Sequence, residues 1–131
     1  MNFKQSDLQN NLNLALSYLE KNNFKKASNI YKKIIKEYPN NFDANFNLGT
    51  IYAKNNNLEK SVILLEKASA INPNNESTYN NLGLIYLNLG NNEKALEKSK
   101  KAISINPNSS IAYSHLGIIY SNLGNVNAAT E

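Results

Sequence analysis

Apolar residues return along this chain at helical spacing, in blocks separated by short polar breaks. Leu8, Leu12, Leu16 and Leu19, with Leu14, Ala15 and Tyr18 on an adjoining face, predict a first helix beginning near Asp7. Ser6 and Gln9 stand there at the spacing of a capping box. Asn22-Asn23 breaks the pattern, and Phe24, Ala27, Ile30, Tyr31, Ile34, Ile35 and Tyr38 predict a second helix from Phe24 to Glu37. Pro39 ends it, because proline has no N–H for the helical ladder and pushes Tyr38 away from helical geometry. The same plan predicts helices over Phe42 to Lys54, Leu58 to Ile71, Ser77 to Leu89, Asn92 to Ile105 and Ile111 to Leu123. A turn at Gly124-Asn125 and the opening of one more helix, Asn127 to Glu131, complete the pattern.

The breaks are themselves periodic. Pro39, Pro73 and Pro107 stand 34 residues apart, and Asn81-Leu82-Gly83-Leu84-Ile85-Tyr86 returns at the same offset as Asn47-Leu48-Gly49-Thr50-Ile51-Tyr52 and as Leu116-Gly117-Ile118-Ile119-Tyr120. A fixed period of this length marks an array of stacked units. Leu14, Leu48, Leu82 and Leu116 share the seventh position, Gly49, Gly83 and Gly117 the eighth, Tyr18, Tyr52, Tyr86 and Tyr120 the eleventh, and Ala27, Ala95 and Ala129 the twentieth. This pattern resembles the tetratricopeptide repeat (TPR) family. The resemblance implies an all-α solenoid of antiparallel helix pairs forming a right-handed superhelix. The chain reads as a single TPR array over residues 1–131, with repeats at 8–41, 42–75 and 76–109 and an incomplete fourth at 110–131. Ala15, Ser61, Ser99, Asn11 and Asn45 depart from the family pattern. Gly49, Gly83 and Gly117 fall inside helices, at about 1 kcal/mol against alanine, and are expected to let a paired helix approach closely.

Composition narrows the function. Asparagine clusters at Asn10-Asn11, Asn40-Asn41 and Asn55-Asn56-Asn57, and it suits caps and turns better than helix interiors. The net charge is +4, all 14 basic residues are lysine, and repeat one alone holds six lysines against Glu20 and Glu37. Bidentate reading of phosphate or guanine favours arginine, so the lysines read as a solvated face and no nucleic-acid partner is expected. The chain has no cysteine, which excludes disulfides and thiol chemistry. Its start lacks the apolar core of a signal peptide and no window approaches a membrane span, so no membrane partner and a cytoplasmic location are expected.

Candidate chemistry is sparse. His115 is the one histidine and sits in mid-helix, the carboxylates are scattered among lysines at helix-surface spacing, and the glycines follow the repeat period instead of forming a phosphate loop. No enzyme, catalytic residue, cofactor or metal site is expected. What remains is a surface. In the family, the first helix of each repeat lines the concave side. By that resemblance one groove row is Asn13, Asn47, Asn81 and His115, a second is Leu16, Thr50, Leu84 and Ile118, and Leu12, Phe46, Asn80 and Ser114 lie beside them. Side-chain amides both donate and accept, so an asparagine row can bond the backbone of an extended peptide whatever its side chains are.

The asparagine row resembles that of the TPR region of protein O-GlcNAc transferases. Co-chaperones that clamp a C-terminal carboxylate are a poorer match. Their groove positions are held here by Leu12, Leu16, Asn47, Ser77 and Asn81, of which only the asparagines agree. The expected function is a protein-protein interaction scaffold that binds an extended peptide or partner helix on its concave face. The alternative is the N-terminal substrate-recruiting region of a larger O-GlcNAc-transferase-like or other transferase enzyme. With no polar capping helix after the fourth repeat, the chain reads as part of a longer protein. Otherwise it leaves Leu116, Ile119, Tyr120 and Leu123 for a partner, a second copy included.

Overall fold

Helices α1 (Gln5–Glu20), α2 (Phe24–Glu37), α3 (Phe42–Lys54), α4 (Leu58–Ile71), α5 (Glu76–Asn88), α6 (Asn92–Ile105) and α7 (Ser110–Thr130) succeed one another in the computed structural model of the chain. It describes the backbone of residues 5–130 and the side chains of residues 7–124. Among the described residues there is no strand. The boundaries expected for α2, α3, α4 and α6 are those observed, while α5 starts and ends one residue earlier. The Ser6 side chain of the expected capping box lies outside the described residues, and the Gln9 amide donates to Asn13 Oδ1 at 3.0 Å.

Asparagine builds the ends. Asn23, Asn41, Asn75 and Asn91 each accept, through the side-chain oxygen, the backbone N–H three residues on, at 3.3, 2.9, 3.1 and 3.1 Å. Each bond satisfies an N–H that the first helical turn leaves open, which stabilises the helix by about 1 kcal/mol. The turn between paired helices is equally uniform. Asn22 (φ 59°), Asn56 (φ 59°) and Gly90 (φ 79°) are left-handed, at the same place in successive repeats. Behind them the N–H groups of Asn23, Asn57 and Asn91 donate to the carbonyls of Tyr18, Tyr52 and Tyr86 at 2.8, 2.8 and 2.9 Å. This is the Schellman ending, which asparagine and glycine reach most easily.

Gly124 is next in that series, yet it lies inside α7, and the turn expected at Gly124-Asn125 is not formed. Glycine permits the left-handed backbone but does not require it, so the residue type alone does not end a helix. The expected end of the helix from Asn127, Glu131, lies outside the described residues.

The helices gather into two compact units, one running through Asn72 and the other from Pro73. In the first, α1 packs on α2, α2 on α3 and α3 on α4. Its core is Leu8, Ala15, Ala27, Tyr31, Ile34, Ala44, Leu48 and Ile51. In the second, α6 packs on both α5 and α7, and α5 touches α7. Tyr79, Ala102 and Ala112 are buried there with Ile103 and Ile105 against them. Each fully buried leucine or isoleucine contributes about 1.5–3 kcal/mol.

Asn45 and Tyr79 occupy the same repeat position with unlike side chains and do the same work. The Asn45 amide donates to the carbonyls of Pro39 and Asn41 at 3.0 and 2.8 Å, and the Tyr79 hydroxyl donates to that of Pro73 at 2.9 Å. In each case the proline-containing link is tied to the helix it introduces.

The close crossing expected at the helical glycines holds for two of three. A Cβ on Gly49 would lie 2.9 Å from Leu65 Cγ, and on Gly83 3.2 Å from Ser99 Oγ and 3.5 Å from His115 Nδ1. Gly117 has nothing within 4 Å of that point, because no described residue packs on that side of α7.

Candidate functional site

In the first unit, α1 and α3 lie on either side of α2 residue Tyr31. Together they enclose an open pocket of about 230 Å³ lined by Gln9, Leu12, Asn13, Leu16, Tyr31, Asp43 and Asn47. Three of the residues singled out from the sequence, Asn13, Leu16 and Asn47, therefore meet around one space. Asn13 and Leu16 are exposed and Asn47 is half-buried. The Asn47 amide donates to the Tyr31 hydroxyl at 3.1 Å, which aims its carbonyl side and second N–H elsewhere. Burial pushes the Tyr31 phenol up to about 12; the Asn47 bond works against that and the charge of Asp43 adds to it. Tyr31 is thus a neutral hydroxyl at any ordinary pH.

Thr50 falls in a smaller neighbouring pocket of about 110 Å³, with Leu19, Phe24, Asn47, Ile51 and Lys54. Its hydroxyl is turned back to its own helix, donating to the Phe46 carbonyl at 2.9 Å. Asn47 is the residue common to both pockets.

In the second unit, Asn81 is half-buried, and Leu84 and Ile118 are exposed. His115 is placed differently. Only 8% of it is exposed, and its ring faces Gly83 with Nδ1 lacking a hydrogen-bond partner. Burial lowers its pKa, so the imidazole is neutral at pH 7. The depth comes from Ser99, which stands where the preceding repeat has Leu65 and leaves room beside Gly83. Asn80 is also buried, its amide donating to Glu76 Oε1 at 3.1 Å while Asn106 donates to Glu76 Oε2 at 3.0 Å. Bonds from Ser109, Asn106 and Asn80 hold the Glu76 carboxyl below its ordinary range. Asn80 therefore positions the start of α5 and presents little to a ligand.

Sequence reasoning missed Tyr31 and Gln9. Tyr31 lies in the apolar stripe of a second helix and reads there as packing alone. The available signal was its hydroxyl, which a fully buried ring must give a partner. Among the described residues no group of three or more histidine, aspartate or glutamate side chains could hold a metal ion. No described helix is long and apolar enough to cross a membrane.

Family models described as tetratricopeptide repeat match residues 18–84, 77–109 and 99–131. Among solved structures, the crystal structure of MamA is similar at 27% identity and a TM-score of 0.86, over 90% of this chain and 69% of that one. The first TPR of Spaghetti (RPAP3), bound to the HSP90 peptide SRMEEVD, is 18% identical with a TM-score of 0.86, over 95% of this chain and 98% of that one. The Sgt2 TPR domain from Aspergillus fumigatus is 18% identical with a TM-score of 0.82, over 99% and 87%. No curated protein matches the chain.

Proposed function

The chain belongs to the tetratricopeptide repeat family as an all-α solenoid of helix pairs, and from that premise we propose that it is a protein-interaction scaffold. It takes an extended peptide, or a partner helix, along the first helices of its repeats and carries no chemistry of its own. One observation carries this reading: Asn13, Leu16 and Asn47 border a single open pocket, so amide donors and acceptors stand beside apolar surface. Amides fix the peptide backbone and the apolar side chains bury what projects from it. Asn81, Leu84 and Ile118 offer the same pairing in the second unit. The Spaghetti TPR, of the same fold, is bound to the short HSP90 peptide SRMEEVD, which supports a peptide as partner. The carboxylate clamp of the co-chaperone subclass is not expected here, where Leu12 and Leu16 stand at two of the clamp positions.

The test begins with selection of peptides from a displayed random library on the whole chain. Selected peptides are then titrated against Asn47→Ala combined with Asn81→Ala. Affinity is expected to fall by about 1–2 kcal/mol in total, at roughly 0.5–1.5 kcal/mol per lost bond. Equal affinity in the double variant discards the amide row. A second reading, self-association, draws on α7. Tyr113 and Tyr120 are 52% and 53% exposed, where Tyr79 and Tyr86 at the same repeat positions are 6% and 8% exposed. Sedimentation over a range of concentrations separates the two.

A further inference from the structure

A third pocket of the first unit, of about 270 Å³, opens between α2, α3 and α4 and shares no residue with the two that meet at Asn47. Ile35, Leu48, Tyr52, Ile63 and Leu64 make it apolar, and the only charged residues lining it are Lys32 and Lys60. Both lysines lean over one ring. Their Nζ atoms stand 5.9 and 5.5 Å from the centroid of Tyr52. Neither makes an ion pair among the described residues. Ile63, at the rim, is 69% exposed, the most exposed large apolar residue of the described chain. Residues 1–72 also hold ten lysines against six acids, so the whole net charge of +4 lies in this unit.

The geometry points to this pocket as a docking site for an acidic protein segment that carries one large apolar side chain flanked by carboxylates. A cavity of this size takes a single leucine- or phenylalanine-sized group. Of its lining residues Leu48 is buried and Ile63 exposed, so the inserted group would run from Ile63 inward to Leu48. Two ammonium groups within about 6 Å of one ring centroid stand without counter-charges among the described residues, and carboxylates on either side of the inserted group supply them. An apolar ligand alone leaves the lysines unneutralised, while an acid without an apolar side chain leaves the pocket wet. Lysine suits this task because it acts as a point charge and needs no planar partner.

The test uses the whole chain and a set of labelled peptides, alternating glutamate around one central leucine, isoleucine, methionine or phenylalanine, read by fluorescence anisotropy at low and physiological salt. At least one member is expected to bind, more weakly at higher salt. Lys32→Gln with Lys60→Gln is expected to weaken it about tenfold or more, and alanine at the central peptide position by a similar factor. Lys33→Gln with Lys36→Gln makes the same charge change on α2 away from the pocket and is expected to matter far less. Circular dichroism confirms that each variant is folded. The proposal is overturned if no peptide of the set binds, or if both lysine pairs weaken binding equally. It is also overturned if central alanine has no effect, or if the chain binds vesicles of anionic phospholipid and none of the peptides.

Discussion

Alanine placed at Gly49, Gly83 and Gly117 tests whether helix crossing or local propensity governs this fold, since the three share one repeat position. Propensity alone favours alanine at each by about 0.8–1 kcal/mol. At Gly49 the new methyl would sit 2.9 Å from Leu65 Cγ, 3.1 Å from Leu65 Cδ2 and 3.3 Å from Leu64 Cβ. Carbon atoms prefer about 3.5–4.0 Å. Leu65 is fully buried, so it has nowhere to go. Overpacking of this kind costs about 1–3 kcal/mol, giving a net loss of about 0–2 kcal/mol. At Gly83 the closest atom is Ser99 Oγ at 3.2 Å, a hydroxyl that can rotate away, so the change is expected to be near neutral. At Gly117 nothing opposes the propensity, and the variant is expected to gain about 1 kcal/mol. Urea and thermal unfolding followed by circular dichroism read the series, with roughly 3–5 °C in Tm per kcal/mol for a chain of this length. Because α7 is packed on one side, amide exchange along it is a second readout, slowed about fivefold by 1 kcal/mol. The expected order of stability is Gly117→Ala above Gly83→Ala above Gly49→Ala. A Gly117→Ala variant as damaged as Gly49→Ala would refute the reasoning.

Asn45→Ala removes the two hydrogen bonds that its amide nitrogen donates to Pro39 and Asn41, and is expected to destabilise by about 1–3 kcal/mol in urea unfolding. Spectrophotometric titration should show one tyrosine ionising last, near 12, and that step should vanish in Tyr31→Phe. Since Tyr31 stays protonated in the fold beyond its ordinary value of 10.0, the stability it contributes is intact below pH 10 and is lost as pH rises toward 12. For His115 the sign is opposite. Burial holds it neutral below its ordinary 6.5, so the unfolded chain takes up the proton first and stability declines as pH falls below about 6.5. Tm measured between pH 7.5 and 5 should drop, and His115→Gln should flatten that drop. Glu76, held low by its hydrogen bonds, contributes a further loss only below its ordinary 4.5.

Most helix ends were legible because they are decided within a few residues. Pro39 and Pro73 block continuation, asparagine at the first cap accepts an N–H three residues on, and Asn22, Asn56 and Gly90 accept a left-handed backbone. The asparagine excess, which in the sequence signals caps and turns in general, is specific in the fold: four caps, two left-handed turns and the Asn45 tie to Pro39. The family resemblance also placed Asn13, Leu16 and Asn47 on the first helices of their repeats, and these three border one pocket.

What the sequence could not decide was burial, because burial depends on whether a neighbour arrives. Gly124 has the residue type of Gly90 and the same place in the period, yet the helix runs straight through it, because glycine permits a left-handed turn without requiring one. His115 shares its register with Asn47 and Asn81, but Ser99 in place of a larger residue lets it sink beside Gly83. Period and capping chemistry are short-range and are written in the residues themselves. The depth of a side chain is set by atoms far along the chain, and only the packed structure brings them together.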